Sequence, residues 1–357
     1  RITGQSFDAL DRLIEITDPA LNDATYDYDD RDNLTQVTDP GGVATSYVYD
    51  GLNNLIQESS PDAGTTVHEY DAAGNLTETT DGRGIVVQYS YDALNRLTGI
   101  TYPASTGENV TYTYDTGTNG VGRLRSVTDE SGTTTYTYDD RGNALSVSRN
   151  TGSETFVTSY TYDLADNVTS ITYPSGRTVT YSRDTLGRVS GVSSQIPGEA
   201  SETLASSVTY EPFGPMAAWT SGNGVANSRT FDQDYRVTDI EISGAGMLHD
   251  LAYGYNVVDN ITSLTDGLNA SLSQTFDYDL LDRLSDADGD YGDQSYTYDA
   301  NGNRTERDNA TTLVTQTLIY TTGTNQLATE DSQTVAHDGA GNRTSDEAGT
   351  RSYAYNH

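Results

Sequence analysis

Tyr70–Asp92 reads YDAAGNLTETTDGRGIVVQYSYD, and this stretch is one cell of a pattern that organises the whole chain. An aromatic residue and an aspartate are followed by a short polar turn containing Gly-Asn, Asn-Arg or Gly-Arg. A Leu/Val/Ile-Thr segment comes next, then a second turn such as Asp81-Gly82, then an alternating strand that runs into the next Tyr-Asp. Openings at Phe7, Tyr28, Tyr49, Tyr70 and Tyr91 are spaced by 21 residues. Further openings follow at Tyr114, Tyr138, Tyr162, a degraded Arg183-Asp184, Tyr210, Phe231, Tyr255, Tyr278, Tyr298, Tyr320, His337-Asp338 and Tyr355-Asn356.

A period near 21 is too short for two helices and their connections, but it suits two strands of five to seven residues and two turns. Thr, Val and Tyr fit pleated surfaces, while Gly, Asn and Asp supply turns. In Ile85–Tyr91 alternation places Ile85, Val87, Tyr89 and Tyr91 on one face, which predicts a buried side for that strand. The other strand breaks alternation in a consistent way. Leu13 and Ile16, Leu34 and Val37, Leu97 and Ile100, Leu124 and Val127, Val168 and Ile171, Val189 and Val192, and Val237 and Ile240 are each three apart. This spacing predicts a bulge or a sharp coil inside the strand that returns a second apolar residue to the same side, and hence strong curvature. A single hairpin is marginal, so stability has to come from stacking each on its neighbours. Longer cells carry their additions near turns, as at Ala104–Gly107 and Gly117–Gly120, where extra residues cost little.

The stretch from Ser193 to Asn227 (193–227) has the weakest pattern, with three of the eight prolines and the only tryptophan, Trp219. It is expected to form a loop excursion anchored around Phe213, Met216 and Trp219.

The chain has 357 residues, 53 acidic and 19 basic side chains, and a formal net charge of -34. That charge favours solubility and opposes binding to nucleic acid or anionic membranes. Disorder, the usual reading of an acidic polar chain, is opposed by 27 tyrosines and by β-branched residues at fixed offsets. Cysteine is absent, which removes disulfides, thiolate metal sites and cysteine nucleophiles. No apolar run is long enough to span a bilayer. Both ends fall inside repeat units, so residues 1–357 read as one repeat segment of a longer chain.

The cells resemble the YD repeats of the Rhs family. The resemblance rests on Tyr28-Asp29 with Asn33-Leu34-Thr35, Tyr70-Asp71 with Gly74-Asn75-Leu76-Thr77, and Tyr91-Asp92 with Asn95-Arg96-Leu97-Thr98. It recurs at Tyr138-Asp139 with Gly142-Asn143, Tyr278-Asp279 with Asp282-Arg283-Leu284, and Tyr298-Asp299 with Gly302-Asn303-Arg304-Thr305. It implies an all-β fold in which tandem YD-repeat hairpins wind as a spiralling, curved sheet into a shell or barrel. In several members of the family that shell encloses a C-terminal toxin, and related shells occur in insecticidal toxin complexes and in teneurins. No DPxG-type segment before a toxin, such as would mark the end of the family's core and its self-cleavage region, is found, so neither autoproteolysis nor toxin activity is assigned. Arg183, Tyr210-Glu211 and His337 read as worn copies.

Repetition gives every Tyr-Asp pair the same structural role, in which the ring covers apolar surface and the aspartate accepts from the turn backbone. Arg96, Arg123, Arg188, Arg283, Arg304 and Arg343 occupy nearly equivalent turn positions and are expected to neutralise neighbouring carboxylates. The four histidines, His68, His249, His337 and His357, form no HExxH motif, and neither a GxSxG elbow nor a phosphate-binding loop is present. His68 or His249 with an adjacent tyrosine is the pair that polysaccharide β-elimination could use. Asp286, Asp288, Asp290 and Asp293 in DADGDYGD are the candidate metal ligands, with calcium as the suitable ion, although the twelfth-position Glu of an EF-hand loop is missing. No other cofactor is expected.

The leading functional expectation is a structural shell segment of a large secreted or delivered bacterial protein, located outside the cell or at its surface, that encloses or displays another polypeptide, with a C-terminal toxin, other polypeptide cargo or neighbouring subunits as partners. Two alternatives are a polysaccharide-processing enzyme on the same scaffold and an extracellular glycan-binding or adhesion module with exposed tyrosines.

Overall fold

The computed structural model describes residues 3–345 and 351–355. Asn356 and His357, the end of the last expected cell, lie outside them. The only helices among the described residues are single 3-10 turns at Thr106–Glu108 and Ala270–Leu272, and no helix is long and apolar enough to cross a membrane. The chain divides into two compact units, Arg1–Thr106 with Gln274–His357, and Gly107–Ser273.

Both units are antiparallel meanders in which each strand pairs with its sequence neighbours. The first unit runs from Gly4–Phe7 to Leu97–Thr101 and from Gln274–Tyr278 to Gln333–Thr334. The second runs from Val110–Tyr114 to Ile261–Asp266. The expected bulge is present, and it recurs at one place in the cell. Leu34 faces Tyr28 and Gln36 faces Asp27, so Thr35 is the extra residue, and Val37 then faces Tyr26. Leu34 and Val37 thus share a face with both tyrosines. The same shift occurs from Leu13 opposite Phe7 through to Leu327 opposite Tyr320.

The sheet face is less covered than alternation predicts. Among the described residues the buried apolar side chains are Val43, Val179, Ala287, Leu318 and Val335, and the recurring tyrosines are half-buried. The accessible surface is 20412 Å² for 38.5 kDa, against roughly 14,000 Å² for a compact protein of that mass. The physical reason is that each unit is one sheet thick. Its aromatic face is covered by flanking side chains of the same face and not by a second layer.

Residues 193–227 correct the sequence reading. They hold regular strands, among them Glu202–Tyr210 and Met216–Ser221, in place of a loop excursion. Met216 faces Tyr210 across the usual bulge, and Trp219 takes the second apolar position three residues on, with the Arg229 guanidinium 5.0 Å from its ring centre. Phe213 is 96% exposed at a turn tip and anchors nothing. The prolines obscured the pattern because they fall outside the strands, where no ladder N–H is needed, and the strand residues are mostly Ser, Thr and Ala.

Candidate functional site

Each Tyr-Asp pair builds a hairpin tip. In the Tyr70 cell, Asp71 Oδ1 accepts from the backbone N–H groups of Ala73 and Asn75, both at 2.9 Å, and Oδ2 accepts from the Asn75 side chain at 2.9 Å. Gly74 between them has φ +82°, a left-handed conformation that favours Gly, Asn or Asp at the third residue after the aspartate, although Tyr235 adopts it at φ +61° after Asp232. The fourth residue is Asn or Arg because it must carry a side-chain donor. Arg96, Arg188 and Arg283 accordingly bind Asp92, Asp184 and Asp279. Bonds from the side chain of the fourth residue, then its backbone N–H, hold the carboxyls of Asp50, Asp71, Asp92 and Asp163 below the ordinary carboxylate value.

Tips are also joined to one another. The Asn33 amide donates to Asn53 Oδ1 at 3.1 Å, Asn75 to Asn95 at 3.0 Å, and Asn143 to Asp166 at 2.7 Å. The tyrosine hydroxyl completes the cell, donating to the carbonyl of the bulge-flanking residue one cell earlier. Tyr70 reaches Leu55 at 2.9 Å, Tyr162 reaches Ala144 at 2.8 Å, and Tyr298 reaches Leu284 at 2.8 Å. The bulge disrupts the ladder at that carbonyl, and the next tyrosine supplies a donor.

Within the first unit, tips from the two ends of the sequence clasp. Asn301 Oδ1 accepts from Gly41 N at 2.6 Å, and its amide donates to Asp39 Oδ2 at 2.8 Å. The Asn325 side chain donates to Asp39 at 2.9 Å and to Asp62 at 3.1 Å. Gly82 and Gly339 approach so closely that a Cβ on Gly82 would lie 2.3 Å from the Gly339 carbonyl oxygen. His337 lines the shallow cleft beside this seam, together with Asp62, Asn325 and Gln326.

The other sequence candidates are not gathered into a centre. His68 Nδ1 lies 3.2 Å from Thr79 Oγ1, its hydrogen-bond partner, with Tyr70 two residues along the same strand. His249 faces Ile242, and Tyr253 lies beyond Leu251, about 13 Å away along extended backbone. Asp286 and Asp288 project from the strand Leu284–Asp288, Asp290 and Asp293 follow it, and all four are exposed. Among the described residues no three His, Asp or Glu side chains converge where a metal ion could sit.

Two of the grouped arginines belong elsewhere. Arg304 and Arg343 stand one residue beyond the tip position, where other cells have an apolar residue, most often Leu or Val. Arg304 faces Tyr298 and Arg307 faces Tyr296, so this cell carries arginine at both positions that are usually apolar. The Arg304 guanidinium donates to Gln316 Oε1 at 2.9 Å, and its buried Nε has no partner. Arg307 Nε donates to Gln294 Oε1 at 2.7 Å, where the Tyr296 hydroxyl also donates at 3.0 Å. The sequence signal for this patch was the substitution of Arg-x-x-Arg for Leu-x-x-Val.

A tandem array of bulged hairpins with aspartate-closed tips defines the class as a β-hairpin repeat protein. The RHS Repeat family model matches residues 7–44, 28–65, 70–106, 119–154, 148–178 and 162–194. Rhs repeats are thus matched within residues 7–194, and the same bulged hairpins continue well past residue 194, where the matches stop. Comparison with curated proteins gave no match. Among solved structures, the TcdB2-TccC3 crystal structure aligns with a TM-score of 0.84 at 19% identity, covering 96% of this chain and 21% of that one. A structure of TcdB2-TccC3-Cdc42 gives 0.86 at 20% identity, over 96% and 21%. The Photorhabdus luminescens Tc holotoxin pore gives 0.85 at 20%, over 97% and 21%. The chain therefore spans about one fifth of the length of these chains and shares their fold over that span.

Proposed function

We propose that this segment is a wall section of a larger secreted bacterial shell that encloses or displays another polypeptide. The observation that carries this reading is the seam. Tips about 260 residues apart in sequence abut through directional hydrogen bonds and glycine contacts, so the wall is continuous where two of its edges meet. Three features support it. The wall is one sheet thick, its aromatic face is only half covered, and its fold is that of part of the TcdB2-TccC3 chain. The half-covered face is the one turned toward the enclosed polypeptide. Association with a second polypeptide and an extracellular location belong to the same reading.

Enclosure is tested by thiol labelling, which the cysteine-free sequence permits. Thr45 faces Val37 on the aromatic side, and its neighbour Ser46 points the other way. Thr45→Cys and Ser46→Cys are made separately in the full-length gene product and exposed to a bulky maleimide. Enclosure predicts fast labelling at position 46 and protection at position 45 that is lost on unfolding. Equal labelling of the two overturns the proposal.

A further inference from the structure

The cell holding Arg304 and Arg307 interrupts the aromatic face with a polar cleft lined by Arg307, Asn309, Thr312, Val314, Gln316 and Asp331. Its arginine differs from the tip arginines. Arg12, Arg96, Arg188, Arg236 and Arg283 each pair with the aspartate four residues earlier. Arg307, in a chain of net charge -34, pairs with no carboxylate among the described residues. Its Nε is fixed by Gln294, which is only 6% exposed and is itself held by Tyr296. Its two terminal nitrogens carry no hydrogen bond among the described residues. A guanidinium pinned at Nε and free at its outer edge is preorganised to grip a carboxylate through two parallel bonds.

The neighbouring groups limit what can arrive there. Asn309 is occupied, its oxygen accepting from Thr311 and Thr312 and its amide donating to Tyr291. Asp331 accepts from the Thr317 N–H through one oxygen, which leaves the other at the cleft. A simple anion meets Asp331 as a like charge. A carboxylate accompanied by an N–H donor meets both groups favourably, and a polypeptide carries that combination wherever an acidic residue sits beside its own backbone amides.

We infer that the Arg307 cleft is a binding site for an acidic side chain of a polypeptide lying on the aromatic face, with Arg307 holding the carboxylate and Asp331 accepting from an adjacent backbone N–H. This rests on the enclosure reading and adds to it the chemistry of the contact.

The probes are acetyl-Gly-Glu-Gly-amide, its Gln counterpart and glucuronate, measured by calorimetry against the intact chain and against Arg307→Leu, which restores the apolar character that most other cells have there. The Glu peptide should bind about ten- to a hundredfold more tightly than the Gln peptide, the range expected of a charged hydrogen bond. Arg307→Leu should remove that preference while circular dichroism and melting stay close to the parent. Equal affinity for the two peptides, a preference that survives in Arg307→Leu, or binding of glucuronate without the Glu peptide overturns the inference. The outcomes separate cleanly from enclosure: face-selective labelling with no peptide preference sinks this site alone, and uniform labelling sinks enclosure whatever the peptides do.

Discussion

Arg183 donates to the Val168 carbonyl at 3.0 Å, replacing with a guanidinium the bond that the Tyr162 hydroxyl makes to Ala144 at 2.8 Å one cell earlier. The worn copy therefore still fills the place of a tyrosine. The replacement is imperfect, because the Arg183 Nε is buried without a partner. Arg183→Tyr should restore the regular bond and relieve that donor, stabilising the second unit by about 1 kcal/mol. Trp219 lies in the same unit and is the only tryptophan, so its fluorescence in urea reads the change directly. An unchanged or lower midpoint would count against the equivalence.

The converse test is Tyr298→Phe, which keeps the ring and strips the Leu284 carbonyl of its hydroxyl donor. A loss of about 1–2 kcal/mol is expected, since the ladder is already disrupted at the bulge. Phe7 and Phe231 open cells without a hydroxyl, so the ring alone sustains the fold and the variant should remain folded. Denaturant melts of the variant and parent give the difference.

Asp71→Ala should loosen one tip and leave the rest of the array in place. Asp71 holds two backbone N–H groups and the Asn75 side chain, and Asn75 links to the next tip through Asn95. Amide exchange should accelerate at Ala73 and Asn75 and in the adjoining tip, with little change in the second unit. Uniform acceleration across the chain would show that the cells do not respond as nearest neighbours.

Two sets of shifted groups define a pH window. The tip carboxyls of Asp50, Asp71, Asp92 and Asp163 are lowered by the side-chain and then backbone bonds they accept. Their stabilisation is present above the unfolded value of about 4 and is lost as pH falls through the lower folded value. Burial raises the hydroxyls of Tyr91, Tyr162 and Tyr255, so their contribution is present below about pH 10 and is lost as pH rises through the folded value. Melting temperature should therefore plateau between those limits and fall beyond both. A melt that is flat from pH 3 to pH 11 would refute the assignment.

Asn301→Asp should open the seam. The change removes the amide that donates to Asp39 and Asn325 and sets a carboxylate against Asp39. A cost of about 1–3 kcal/mol to the first unit follows from the stranded acceptors alone. Faster proteolysis around residues 39–42 and 321–326, with the second unit unaffected, is the expected result. Gly82→Ala should give the same pattern through steric exclusion.

The sequence made the repeat readable because each requirement is local. Leu34 and Val37 three apart announced the bulge, and Asp71 followed by Gly74-Asn75 announced the tip. The tyrosine hydroxyl bond was not readable, since its acceptor is a carbonyl exposed by the bulge of another cell. The thinness of the wall was hidden because alternation states which side is apolar and not how well it is covered. Arg304 was misassigned by one position, a slip that in a strand exchanges a tip role for a face role. Asn301 and Asp39 lie 262 residues apart, and no local pattern links them.

That separation has a consequence in time. At ribosomal rates of about 5–20 residues per second, Asn301 leaves the ribosome roughly a quarter of a minute to a minute after Asp39. Until then the earliest hairpins have formed without their latch. Translation speed through the middle of the message therefore sets how long that open edge is available to a chaperone, or to a wrong partner.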